Sequence, residues 1–231
     1  MVSPAFANIR GIIFDLDGTL YVCDTFAGLI QDVATEYISD LKGISQPEAG
    51  LLMAATRLRL LEESGSVQTL SAVCVELGGS VRELHRFFEN KLRPEACLVR
   101  DERVIQLLER LSKQFPLYIY TNNNRALATR IINYLGLDGL FRHIFAIDDA
   151  WRAKPDEEML GMVLSDTGLS PAEALFVGDR YDIDLRVPEQ HGCPVYLSQS
   201  LEQLLRLEEL LNPLSHADKS TVPEYPQEVQ Q

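Results

Sequence analysis

Ile9-Arg10-Gly11-Ile12-Ile13-Phe14-Asp15-Leu16-Asp17-Gly18-Thr19 sets the architecture of this chain. Its first six residues are β-rich and, Arg10 apart, apolar, and they give way at once to acids and glycine. That is the pattern of a buried strand whose carboxyl end opens on a loop. Similar runs recur at residues 117–120, 144–147 and 174–177, with a fifth at 194–197. Helical patterns lie between them. Val104, Leu107, Leu108 and Leu111 share one face, as do Leu127, Ile131, Tyr134 and Leu135, closed by Gly136 as a C′ residue. Such alternation predicts an α/β fold built on a parallel sheet covered on both faces.

Residues 24–92 break the alternation, because they hold no convincing strand and read as consecutive helices. Phe26, Leu29, Ile30, Val33, Tyr37 and Leu41 form one apolar stripe, and Gly43, Gly65 and Gly78-Gly79 punctuate the rest of the insertion. The economical division is a discontinuous core of residues 1–22 and 93–211 interrupted by a helical insertion at 23–92. Ser200 and Gln203 have the spacing of a capping box opening a last helix that runs to Leu211. Residues 212–231 carry Pro, Glu and Gln without periodicity, the composition of a disordered tail.

The chain has 231 residues, 46% of them hydrophobic and 24% charged, enough for one sizeable core. No stretch approaches the roughly 20 apolar residues of a membrane helix. The first ten residues resemble neither a secretory nor a transit signal, so a cytoplasmic protein is expected. Cys23, Cys74, Cys97 and Cys193 are scattered, without C-x-x-C spacing, and read as reduced thiols. A net charge of −13 repels nucleic-acid polymers. A small phosphorylated molecule remains compatible with it, since a metal and a few local cations reverse the field inside one cleft. Monomer and homodimer both fit.

Two aspartates at i and i+2, leaving a strand end in an open α/β sheet, project into the cleft where ligands gather. One is placed to bind metal and attack, the other to handle protons. Gly18 permits the turn and Thr19 adds a hydroxyl to it. In isolation these features have plainer readings. The acids could cap a strand, Thr121 could close a local turn, Lys154 could be a solvated lysine, and Asp179 and Asp184 could be turn or N-cap residues. Pro155 with Asp156, Glu157 and Glu158 reads as a helix start.

Phe14-Asp15-Leu16-Asp17-Gly18-Thr19-Leu20 resembles the first motif of the haloacid dehalogenase-like hydrolase superfamily, and three further motifs come after it in that family's order. The resemblance implies a Rossmann-like, doubly wound parallel sheet with an α-helical cap lodged between the first and second motifs. It matches Thr121, in Tyr118-Ile119-Tyr120-Thr121-Asn122-Asn123, to the family Ser or Thr that hydrogen-bonds the phosphoryl oxygen. It matches Lys154 to the lysine that offsets charge on the nucleophile, and Gly178-Asp179-Arg180-Tyr181-Asp182-Ile183-Asp184 to the final acidic motif. By the same resemblance, Asp15 attacks phosphorus to give an aspartyl-phosphate. Asp17 protonates the leaving oxygen and then activates water. Mg²⁺ is held by Asp15, the backbone carbonyl of Asp17, and Asp179, with Asp184 orienting the shell and Asp182 as the alternative. Gly18, Thr19, Thr121, Asn122 and Lys154 form the phosphate-binding surround. Dehalogenases of this superfamily lack the second aspartate, so Asp17 points to a phosphatase. The motif surroundings are similar to the subgroup of pyrimidine nucleotidases, phosphoglycolate phosphatases and β-phosphoglucomutase. A phosphomutase, or a non-catalytic binding protein keeping the fold, are the alternatives. Arg57 and Arg59 in the insertion are candidates to reach an anionic leaving group, or else are ordinary solvated helix residues.

Overall fold

A computed structural model describes Phe6 and residues 8–211. In chain order the elements are β1 (Gly11–Phe14), α1 (Asp24–Lys42), α2 (Gln46–Ser64), α3 (Leu70–Glu76), α4 (Val81–Lys91), α5 (Glu102–Ser112), β2 (Leu117–Tyr120), α6 (Arg125–Leu135), β3 (His143–Phe145), α7 (Glu157–Thr167), β4 (Ala174–Gly178), α8 (Arg186–Gln190), β5 (Val195–Leu197), α9 (Leu201–Leu205) and α10 (Leu207–Leu211). The strands form one sheet in the order β3-β2-β1-β4-β5, and every pairing is parallel.

Period-two alternation explains why both faces of this sheet are covered. Ile12, Phe14, Leu117, Ile119, Leu175 and Val177 point to one face, where residues of α5, α6, α9 and α10 cover them. Ile13, Tyr118, Tyr120, Ala174 and Phe176 point to the other, under Met159, Leu160 and Val163 of α7 and Leu185 and Val187 beside it. The chain passes from β1 to β2 on one side and returns to β4 on the other. The carboxyl ends of β1 and β4 therefore flank the crevice where strand order reverses.

Between β1 and the turn at Pro94–Ala96, the described residues of 24–92 form four helices and no strand. The apolar stripe of α1 differs in detail from the expected one. Phe26, Ala34, Tyr37 and Ile38 are buried while Leu29 and Leu41 are more than a third exposed, because α1 packs against α2, α4 and α3 and only part of its apolar stripe is covered. The apolar faces of these helices join the core on the α5–α6 side of the sheet in one continuous cluster.

Three other boundaries shift, each for a local reason. The strand expected at 144–147 ends at Phe145, and Ile147–Asp149 form a 3₁₀ turn whose Asp149 carboxylate accepts the Ala146 N–H. Pro155 is not the first helical residue. The Asp156 side chain accepts the Met159 N–H at 2.8 Å and caps α7, which starts at Glu157. Ser200 does cap α9, but Gln203 turns its side chain to the Gln199 N–H, and the expected single helix is split into α9 and α10 at Arg206. The expected tail at 212–231 lies outside the described residues.

Candidate active site

Asp15 is the first residue beyond β1, and its N–H donates to Val177 O at 2.8 Å, which ties it to the end of β4. Its carboxylate is buried. One oxygen accepts Lys154 Nζ at 2.6 Å and the other accepts Thr19 Oγ1 at 3.3 Å. Lys154 is only 2% exposed and directs its three donors at Asp15 Oδ1, Asp184 Oδ1 (2.7 Å) and the Tyr120 carbonyl (2.8 Å). A solvated surface lysine is thereby excluded. Asn122 clamps the backbone on either side of that lysine. Its Oδ1 accepts the Lys154 N–H at 2.7 Å and its Nδ2 donates to the Lys154 carbonyl at 3.3 Å.

Asp17 is wired separately. Its two oxygens accept Tyr21 Oη and Asn123 Nδ2, the latter at 2.5 Å, and neither touches the lysine. A tight turn brings Tyr21 back, with Gly18 at φ +81° and its N–H on the Tyr21 carbonyl at 2.9 Å. Gly18 is needed for a second reason, since a Cβ there would stand 2.4 Å from Asp179 Oδ2. Thr121 is buried, and its Oγ1 accepts the Asn123 N–H at 3.1 Å, leaving the hydroxyl proton for another acceptor.

Asp179 comes directly after β4, and Asp184 returns to it from the π-helical turn Tyr181–Leu185. Asp184 accepts Lys154 on one oxygen and the Arg180 N–H at 3.1 Å on the other. Asp182, two residues earlier, is exposed and outside the cluster. One ligand atom from each of Asp15, Asp179 and Asp184 lies within 4.8 Å of the others. Asp179 Oδ1 is buried without a hydrogen-bond partner, and such an orphan among hard oxygen donors fits a divalent cation of the magnesium or calcium type.

The electrostatics agree with that fit. Burial would lower the Lys154 pKa, but Asp15 and Asp184 more than offset it and hold the ammonium charged above its ordinary range. Burial raises Asp184 as well, yet Lys154 and Arg180 outweigh it and keep this carboxylate ionised. Burial pushes Asp15 up to about 7 and Asp179 up to about 6, and it raises Asp17. Lys154 and Arg180 bring two positive charges to the four carboxylates Asp15, Asp17, Asp179 and Asp184, and a divalent cation would relieve the excess.

Above these groups lies a cavity of about 380 Å³, lined by Asp15, Asp17, Gly18, Asn122, Asn123 and Asp179 on the core side and by α1, α3 and α4 opposite. Arg57 and Arg59 do not line it. Arg57 Nη2 donates to Gln31 Oε1 at 3.1 Å, and Arg59 is exposed and paired with Glu63 and Glu76. Sequence reasoning assigned no role to Tyr21, Asn123 and Arg180. The first two carried a signal, because each sits beside a motif with a polar group able to reach a carboxylate. Arg180 carried none, since only the fold aims it at the cluster, 3.6 Å from Asp179 Oδ1.

The chain is similar to known hydrolases over most of its length. A phosphoglycolate phosphatase from Photorhabdus laumondii is 28% identical over 199 residues, covering 84% of this chain and 82% of the relative. Pyrophosphatase PpaX from Bacillus velezensis is 28% identical over 175 residues, covering 75% of this chain and 76% of the relative. The fold is shared with a 2-haloacid dehalogenase from Pseudomonas syringae pv. Tomato DC3000, at a TM-score of 0.58 and 21% identity, over 90% of this chain and 100% of that one. Residues 9–192 match the family model of haloacid dehalogenase-like hydrolases, and the chain belongs to that family.

Proposed function

We propose that this hydrolase is a magnesium-dependent phosphatase that cleaves small phosphate monoesters through an aspartyl-phosphate on Asp15. The observation that carries the reading is the separate wiring of two carboxylates two residues apart. Asp15 accepts a hydrogen bond from a buried lysine ammonium, whereas Asp17 is gripped by a phenol and an amide and has no cation hydrogen-bonded to it. A nucleophile and a proton carrier need that difference. The phosphatase and pyrophosphatase relatives support the same chemistry.

In the first half-reaction an Asp15 oxygen forms a bond to phosphorus as the ester P–O bond breaks, and Asp17 gives its proton to the departing oxygen. Asp17, now a carboxylate, takes a proton from water in the second half-reaction. The water oxygen bonds to phosphorus as the Asp15 O–P bond breaks, which regenerates the Asp15 carboxylate and releases inorganic phosphate. Tyr21 and Asn123 orient Asp17 for both transfers. Lys154 fixes the Asp15 carboxylate and offsets charge on the phosphoryl group, and Asn122 fixes Lys154. Thr19 steadies Asp15, and Thr121 directs its hydroxyl proton at a phosphoryl oxygen. Asp15, the Asp17 carbonyl and Asp179, supported by Asp184, would hold Mg²⁺, which would supply further charge neutralisation at the phosphoryl group. Residues 23–92 act as a cap over the cavity, and exclusion of bulk water beneath it protects the phosphoenzyme.

Hydrolysis of p-nitrophenyl phosphate tests this reading. The wild-type protein should release inorganic phosphate with added Mg²⁺ and not with a chelator. Asp15→Asn should lower turnover by about three orders of magnitude or more with an unchanged circular dichroism spectrum. Substantial turnover by a folded, uncontaminated Asp15→Asn sample would remove Asp15 as nucleophile, and transfer to a sugar without phosphate release would make the protein a mutase.

A further inference from the structure

The outer wall of the cavity has its own chemistry. Phe26, Ile30, Leu70 and Phe88 supply hydrocarbon, Thr69, Ser71 and His85 supply neutral polar atoms, and Asp24 at the start of α1 adds a carboxylate. His85 is 2% exposed. Its Nε2 lies 3.4 Å from Ser71 Oγ and its Nδ1 is buried without a partner. Burial lowers its pKa to about 4, so the ring is neutral at physiological pH and offers a hydrogen bond rather than a charge.

Among the described residues, no lysine or arginine of α1–α4 lines this wall. Arg57 is turned to Gln31, Arg59 to Glu63 and Glu76, Lys91 to Glu36 at 2.5 Å, and Arg82 stacks 4.9 Å from the Trp151 ring centre. The one cation lining the cavity among the described residues is Arg180, on the floor, 3.6 Å from Asp179 and 3.9 Å from Asp184. A carboxylate pressed against the outer wall would lose its hydration and gain no counter-ion, an unfavourable exchange that an uncharged group avoids. Alongside a phosphoryl group, about 380 Å³ leaves room for an organic group of modest size.

We propose that the leaving group accepted here is an uncharged alcohol or phenol, its apolar face on Phe26 and Phe88 and a hydroxyl or amide edge toward Ser71 and His85, and that anionic leaving groups are rejected. This rests on the phosphatase reading and narrows it. It also separates the chain from the phosphoglycolate phosphatases it resembles, whose named substrate carries a carboxylate on the leaving group.

Two matched pairs of substrates test it with the full chain and Mg²⁺: 2-phosphoglycolate against its neutral amide, and 4-carboxyphenyl phosphate against phenyl phosphate. The neutral member of each pair should have a kcat/KM at least about tenfold higher, a margin of roughly 1.4 kcal/mol in transition-state binding. Leu70→Arg should shrink both ratios about tenfold. Ile30→Arg, at a second half-buried position, serves if the first variant does not fold. Arg57→Met should leave the ratios unchanged. Equal use of both members, or preference for the carboxylates, overturns the inference while the phosphatase reading stands. An Arg57→Met variant that loses a carboxylate preference would identify Arg57 as the missing cation and overturn it too. If the folded protein hydrolyses none of the four esters, the phosphatase reading fails, and the inference fails with it.

Discussion

Asp15 and Asp17 are the same residue type two positions apart, and burial raises both, yet their surroundings assign them different work. Asp17→Asn keeps the acceptor geometry for Tyr21 on one atom but cannot give or take a proton. The expected loss is about 10²–10⁴ in turnover of an alkyl phosphate and distinctly less in phosphoenzyme formation from an aryl phosphate with a good leaving group. Rapid-quench measurement with both esters checks this, and equal losses would count against the acid role. Lys154 is the other residue whose environment predicts an outcome. Lys154→Met leaves Asp15 and Asp184 buried without the ammonium between them, and breaking such a set costs about 3–5 kcal/mol. Urea unfolding without metal should register that loss at pH 8 and a smaller one at pH 5, where the stranded carboxylates take up protons. A loss under about 1 kcal/mol at pH 8 would mean that the lysine contributes little to the fold.

At the scale of elements, α4 joins the helical insertion to the core. Asn124 caps α6 with its Oδ1 on the Leu127 N–H and sends its Nδ2 to the His85 carbonyl at 2.9 Å. His85 itself sits in apolar packing, edge-on to Phe88 with ring centres 5.3 Å apart. Its folded pKa of about 4 lies below the ordinary 6.5, so the folded state resists a proton that the unfolded chain accepts. The stability that the neutral ring supports is therefore complete above about pH 6.5 and falls as pH drops toward 4, by about 3 kcal/mol if the whole shift is realised. Thermal melts should show wild type losing more stability over that interval than His85→Leu. Parallel melting curves for the two proteins would exclude His85 as a source of acid lability.

For the whole molecule, the relation between α1–α4 and the sheet matters most. Two chain segments, 21–24 and 92–96, connect them, and the cavity lies between. If the cap closes over bound phosphate, beryllium fluoride with Mg²⁺ should slow limited proteolysis in those segments, because ligand shifts the population toward the closed form. Unchanged cleavage at saturating ligand would argue for a static cap. The continuous apolar cluster shared by the insertion and the α5–α6 face favours small rotations over wide opening.

The sequence by itself determined the parallel sheet, the order of its strands along the chain and the positions of Asp15, Thr121 and Asp179 directly after β1, β2 and β4, whereas Lys154 stands in the loop between β3 and α7 rather than at a strand end. Strands buried on both faces must be runs of apolar residues, and chemistry at their carboxyl ends must come directly after them. It also carried the helical character of 24–92, since periodicity and glycine punctuation are local. Only the tertiary structure decided which of three nearby acids join Asp15. Asp184 and Asp182 differ by two residues in sequence, but the π-helical turn buries one and exposes the other. The pairing of Lys154 with Asp15 spans 139 positions, and the contact of Asn123 with Asp17 spans 106. Contacts of that separation leave no periodic trace in a single chain. The same holds for the cation-free wall over the cavity, where the direction each arginine turns depends on partners that folding alone brings near.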